Sequence, residues 1–252
     1  MNLPTPHWPY LIRRTLLLVW SSFAVCGPGL AADWPQFRGP QRDGVSHETH
    51  LLKSWPEGGP KRLWLPTNLG AGYSSPAVVG EKLYTMSQRR DAQWLLCLDA
   101  KDGKELWATR LGDPYANECG DGPRGTPTVR EDLVFALGAN GELLCAEAAT
   151  GKERWRTNLT ALGGTVPGWG YSESPLVDGP RVMATPGGAK GAVVALDIKT
   201  GQSVWQSKGF TDEVQYTSLM FLEKGGIRQH ISGNRERVSR GHGGRGGERG
   251  LG

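Results

Sequence analysis

Five side chains have the type and spacing to do chemistry: Tyr73, Arg124, Trp169, Tyr171 and Tyr216. Each stands shortly ahead of a Ser or Thr that opens an apolar run: Ser75-Pro76, Thr126-Pro127, Ser174-Pro175 and Ser218. Aromatic rings and a guanidinium at equivalent loops can stack on a planar, anionic ligand. The same residue types also pack one structural unit on the next, and composition alone leaves both roles open. No Ser-His-Asp constellation is visible, and the five His are scattered, so no acid–base catalyst is marked. Asn117-Glu118 and Asp121 offer oxygen ligands of the kind calcium takes, although a solvated turn has the same composition. His47, Glu48 and His50 lack further ligands nearby and read as a loop. Four Cys occur without a C-x-x-C pair, which speaks against zinc. Cys97 and Cys145 share one repeat position and read as small buried residues, with Cys119 in a loop and Cys26 near the N-terminus.

The elements that must position these groups are legible from a repeat. Asp99–Trp107 reads D-A-K-D-G-K-E-L-W, and it returns at Glu147–Trp155 and Asp197–Trp205. An acidic residue, a Gly four residues on and a Trp eight residues on recur, with Trp-to-Trp steps of 48 and 50 residues. Such a period marks a repeat architecture. Each unit holds short β-branched or alternating runs: Lys82–Met86 and Trp94–Leu98, Leu133–Leu137 and Leu143–Ala146, Arg181–Ala184 and Val193–Leu196. These read as strands, and with the Ser/Thr-Pro strand and the Trp strand they make four per unit, the content of a propeller blade. The expected fold class is all-β, a β-propeller with about three and a half four-stranded blades. Trp64, Trp107, Trp155 and Trp205 are expected as structural docking residues. Gly103-Lys104 and Gly151-Lys152 are hairpin turns rather than phosphate loops, because no helix follows them.

The acidic-x-x-x-Gly-x-x-x-Trp pattern resembles the tryptophan-docking motif of the quinoprotein (PQQ-like) propellers. That superfamily includes quinoprotein alcohol dehydrogenases and the lipoprotein scaffold of outer-membrane β-barrel assembly. Trp34-Pro-Gln-Phe-Arg-Gly-Pro40 is similar to the start of secreted PQQ-like repeat proteins. The resemblance spans roughly Asp33 to Gly226 and implies eight blades. It implies either a binding scaffold with no cofactor or, as the alternative, a quinone-dependent dehydrogenase using PQQ and calcium. The vicinal Cys pair that the dehydrogenases carry does not occur here. A fold of this kind hosts many unrelated activities.

Charge sharpens the partner reading. The formal net charge is +4, but residues 227–252 hold six Arg against two Glu, and Arg13-Arg14 add two more positive charges. Residues 33–226 are therefore at −2, which offers nucleic acid no general basic field. Residues 1–32 read as a cleaved secretory signal, with Arg13-Arg14 ahead of the apolar run Thr15–Cys26 and a small-residue site at Gly29–Ala32. No transmembrane span is expected in the mature chain, which would be periplasmic or secreted. Residues 33–60 form an irregular segment, 61–226 a partial propeller and 227–252 a disordered Arg/Gly-rich tail with the look of a frameshifted remnant. Around Trp64 the docking strand lacks its own preceding strands and would complete a final blade. The reading favours a scaffold that binds an envelope protein or a small molecule, with a non-functional truncated product as a further alternative.

Overall fold

Each docking unit folds as one antiparallel sheet in chain order. The computed structural model describes residues 32–233 and, as backbone, the strand at 238–242. The first sheet is β1 (Ala77–Val79), β2 (Lys82–Arg89), β3 (Ala92–Asp99) and β4 (Glu105–Gly112). The second is β5 (Thr128–Arg130), β6 (Leu133–Leu137), β7 (Glu142–Glu147) and β8 (Glu153–Asn158). The third is β9 (Leu176–Asp178), β10 (Arg181–Ala184), β11 (Val194–Asp197) and β12 (Ser203–Gln206). A fourth sheet holds β13 (Met220–Lys224), β14 (Ile227–Gly233) and β15 (Val238–His242). Among the described residues there is no helix, hence none that could cross a membrane. These are the blades of a β-propeller, three complete and one with three strands.

The blades are joined by apolar side chains rather than by shared ladders. Leu95, Cys97 and Leu111 of blade 1 pack with Val134, Ala136 and Leu144 of blade 2. Phe135, Leu143 and Cys145 pack in turn with Val182, Val194 and Leu196 of blade 3. Alternation along β7 therefore sends neighbouring residues to opposite blade faces, one covered by blade 1 and the other by blade 3. The shared Cys position is buried in both units, and burial pushes the Cys97 thiol up to about 11 and the Cys145 thiol up to about 12. Neither is a poised nucleophile.

The docking motif has one geometry used three times. Trp107 pairs with Cys97, Trp155 with Cys145 and Trp205 with Ala195, and in each case the register shifts at the next position of the inner partner. Three indoles, those of Trp64, Trp107 and Trp155, reach forward to the following unit. Trp64 Nε1 donates to Ala100 O at 3.0 Å, Trp107 Nε1 to Ala148 O at 3.3 Å and Trp155 Nε1 to Ile198 O at 2.9 Å. The rings lie on Gly103, Gly151 and Gly201, where a Cβ would come within 2.7, 2.5 and 2.6 Å of the indole. These glycines also hold φ of +75°, +72° and +69°, so close approach and backbone conformation both call for Gly. The acidic anchor caps the same turn: Asp197 Oδ1 accepts from the N–H groups of Lys199 and Thr200 and from Thr200 Oγ1.

One stretch folds differently from the sequence expectation. The tail expected from 227 onward is corrected, because Ile227–Gly233 forms β14 and Val238–His242 forms β15. The stretch lacks an apolar period, but β13 offers it a ladder and blade 3 offers it a carboxylate. Asp178 accepts from Arg228 Nη2 at 2.7 Å and lies 2.8 Å from His230 Nε2. Residues 234–237 and 243–252 of the expected tail lie outside the described residues, as do residues 1–31 of the expected signal. The N-terminal segment 33–60 forms no strand and lies across the blades. Trp34 forms an antiparallel bridge to Val78, Pro35 O accepts from Val129 N–H, and Arg42 reaches Ser174 O and Pro175 O at 2.9 and 3.1 Å. A strap of about ten residues thus crosses the inner strands β1, β5 and β9.

Candidate functional site

The loop ahead of each inner strand ends in the same place. Tyr73, Arg124, Ser172 and Tyr216 each stand four residues before the first residue of an inner strand, Ala77, Thr128, Leu176 and Met220. Together with Cys119 and Trp169 they line one open cavity of about 280 Å³. Four successive units contribute to it, each from its loop rather than its ladder. The loops are tied down locally. Tyr73 N–H donates to Pro123 O at 2.8 Å, and Tyr73 Oη donates to Cys119 O at 2.9 Å. Trp169 and Tyr216 lie with ring centroids 4.9 Å apart, and Trp169 N–H donates to Tyr216 Oη at 3.3 Å.

Arg124 is the electrostatic centre of the cavity. Its guanidinium lies 4.9 Å from the Tyr115 ring centroid and 5.6 Å from that of Tyr73, within the range of cation–π attraction. Nη2 donates to Gly120 O at 2.7 Å and Nη1 to Gly122 O. These carbonyls hold the group in place without neutralising it, and no ion pair among the described residues involves Arg124. Tyr73, Trp169 and Tyr216 are exposed beside it. A fixed positive charge between exposed rings suits an anionic or aromatic group presented from solution.

Tyr171 corrects the sequence expectation. It is fully buried in the core between blades 2 and 3, where its hydroxyl donates to Pro186 O at 3.0 Å and burial pushes its pKa up. Its place in the cavity is taken by Ser172, one residue on. Aligning the units on Ser75, Thr126, Ser174 and Ser218 identifies Ser172 as the equivalent of Tyr73, so the repeat did carry that signal. Cys119 carried none, since the corresponding loops 159–175 and 207–219 hold no Cys.

In the polar loop at Asn117–Asp121, two side-chain oxygens close the turn. Asp121 Oδ1 accepts from Asn117 N–H at 3.0 Å, and Asn117 Oδ1 accepts from Cys119 N–H at 2.9 Å. Asn117 Nδ2 donates to Gly168 O at 2.8 Å, bracing the Trp169 loop. No group of three or more metal-ligating side chains is found among the described residues. The side chains that line the cavity include no carboxylate, the oxygen ligand that calcium most often takes.

A second buried feature was not visible in the sequence. Glu173 is wholly buried beneath the strap, with Oε1 accepting from Thr185 N–H and Oε2 lacking a hydrogen-bond partner. Burial pushes its carboxyl up to about 7, opposed by the Thr185 N–H and by the charge of Arg42. Arg42 is equally buried, and desolvation lowers its guanidinium to about 10.

Comparison with known proteins agrees with this architecture. Residues 91–218, about half of the chain, match the family described as outer membrane protein assembly factor BamB. Among solved structures, the quinohemoprotein alcohol dehydrogenase from Comamonas testosteroni aligns at 19% identity and a TM-score of 0.57. That alignment covers 81% of this chain and 36% of the dehydrogenase, so the chain spans about a third of that protein's length. BamB from Moraxella catarrhalis aligns at 20% identity and a TM-score of 0.40, covering 71% of this chain and 52% of that one. At 19% identity the dehydrogenase shares the fold alone. No curated protein matches the chain in sequence.

Proposed function

The chain belongs to the family of the outer membrane protein assembly factor BamB, and from that premise we propose that it is an envelope-located PQQ-like propeller module that binds a protein partner. The observation that carries this reading is the open cleft of Tyr73, Arg124, Trp169 and Tyr216, built from the loops of four successive blades. Rings and a guanidinium on a rigid scaffold are the side chains that dominate protein interfaces. The partner segment would present an acidic or aromatic side chain to Arg124. Cys119 and Ser172 are the other side chains that line the cleft.

The test compares wild type with Trp169→Ala/Tyr216→Ala, which alters only exposed rings. Wild type is expected to crosslink to a discrete envelope protein, and the double variant to lose that product at least about tenfold, the size of a hot-spot deletion. Equal crosslinking by both chains would overturn the assignment. A bound-quinone absorbance with PQQ and calcium, together with dye-linked alcohol oxidation, would replace it with the dehydrogenase reading.

A further inference from the structure

Residues 34–42, the strap over the inner strands, fold on themselves before they cross the blades. Gly39 N–H donates to Gln36 O and Arg42 N–H to Gly39 O, each at 3.0 Å, and Arg42 Nη1 donates to Gln36 Oε1 at 3.1 Å. These internal bonds let the strap move as one piece. It is fastened at two ends. At one, Trp34 and Val78 exchange N–H···O bonds of 2.8 and 2.9 Å, and Val129 N–H donates to Pro35 O at 2.8 Å. At the other, the two Nη atoms of Arg42 span the carbonyls of Ser174 and Pro175.

Arg42 is fastened beside a carboxyl that it does not pair with. Glu173 directly precedes those two carbonyls, yet among the described residues no ion pair joins it to Arg42. Arg42 Nε and Glu173 Oε2 are both buried without a hydrogen-bond partner. An acceptor left in that state suits a neutral carboxyl, because a dry carboxylate needs donors on both oxygens. The titratable groups coupled to Glu173 are Arg42, from the strap, and Tyr171, from its own loop. Thr185, just past β10, gives it a backbone N–H, and Gly125, ahead of β5, stands against its carbonyl; neither adds charge.

We propose that the strap is a proton-operated latch, seated on the inner strands while Glu173 is neutral and lifted when Glu173 gives its proton to solvent. Ionisation puts a charge where Oε2 has no donor. Two responses relieve it. Arg42 turns to the carboxylate and abandons the carbonyls of Ser174 and Pro175, or water enters beneath the strap. Both undo the fastening at that end. Burial already pushes the Glu173 carboxyl up to about 7, which places the switch close to neutral pH. The latch does not depend on what the cleft binds.

The experiment is hydrogen exchange of the full chain between about pH 5 and 8, corrected for the intrinsic pH dependence of exchange. In wild type the protection of the Val78 and Val129 amides should fall about tenfold per pH unit up to about 7, then level off, following one proton. It should stay below the protection of Phe135 and Leu144 throughout, since the strap lifts without unfolding blade 2. Glu173→Gln should make it independent of pH. Arg42→Lys loses the fork that spans two carbonyls and should lower it at least about tenfold at every pH. A flat wild-type profile, the same fall in Glu173→Gln, or strap-bonded amides as protected as those of blade 2 would each overturn the latch. So would an Arg42→Lys chain protected as strongly as wild type.

Discussion

Glu173 is the residue at which this propeller departs most from its own repeat. The equivalent positions hold Ser74, Gly125 and Thr217, and only blade 3 places a carboxyl there. Its folded pKa of about 7 stands above the ordinary carboxylate value because burial disfavours the charge more than Arg42 compensates. A group raised in this way favours folding fully below its unfolded pKa and loses that contribution as pH climbs through the folded one. Glu173→Gln abolishes the titration while keeping the shape. The stability of wild type relative to the variant should therefore fall between about pH 4.5 and 7, by up to about 3 kcal/mol, and stay level above. Urea unfolding of both chains across that range checks it, and parallel curves would refute it.

At the scale of the element, the unit of construction is the docking turn, in which an acidic cap, a left-handed Gly and the previous blade's indole share one site. Gly201→Ala forces a Cβ against Trp155 and strains φ at once, and is expected to cost about 2–4 kcal/mol. Gly179→Ala is the matched control. It has φ of +55° but nothing within 4 Å of the added Cβ, so only the backbone cost of about 1 kcal/mol applies. Denaturant midpoints of the two variants should differ accordingly. Equal losses would mean that the indole contact contributes nothing.

Across the whole molecule, each blade touches only its sequence neighbours, so stability follows position in the array. Blade 2 buries both faces, one against blade 1 and one against blade 3. Blade 4 shares the smallest cluster, with Leu176, Met183 and Leu219 at its centre. Native-state hydrogen exchange should therefore show the greatest protection at Phe135 and Leu144 and the least at Phe221 and Arg228. Uniform protection would indicate a single cooperative unit.

The sequence alone determined the blades, their strand order, the docking tryptophans and the turns beneath them, because these arise from neighbours along the chain and recur three times. It also located the loops of the cleft, through Tyr73, Arg124, Trp169 and Tyr216. Only the tertiary structure decided between Tyr171 and Ser172, since a one-residue offset in an extended chain swaps the core for the cavity. The strap that brings Arg42 to Ser174 joins residues more than 130 apart, and no local pattern encodes such a contact. Residues 227–242 likewise have no apolar period of their own. Of these, 227–233 form a strand because β13 offers a hydrogen-bonding edge and Asp178 an ion pair, and both lie outside the stretch they order.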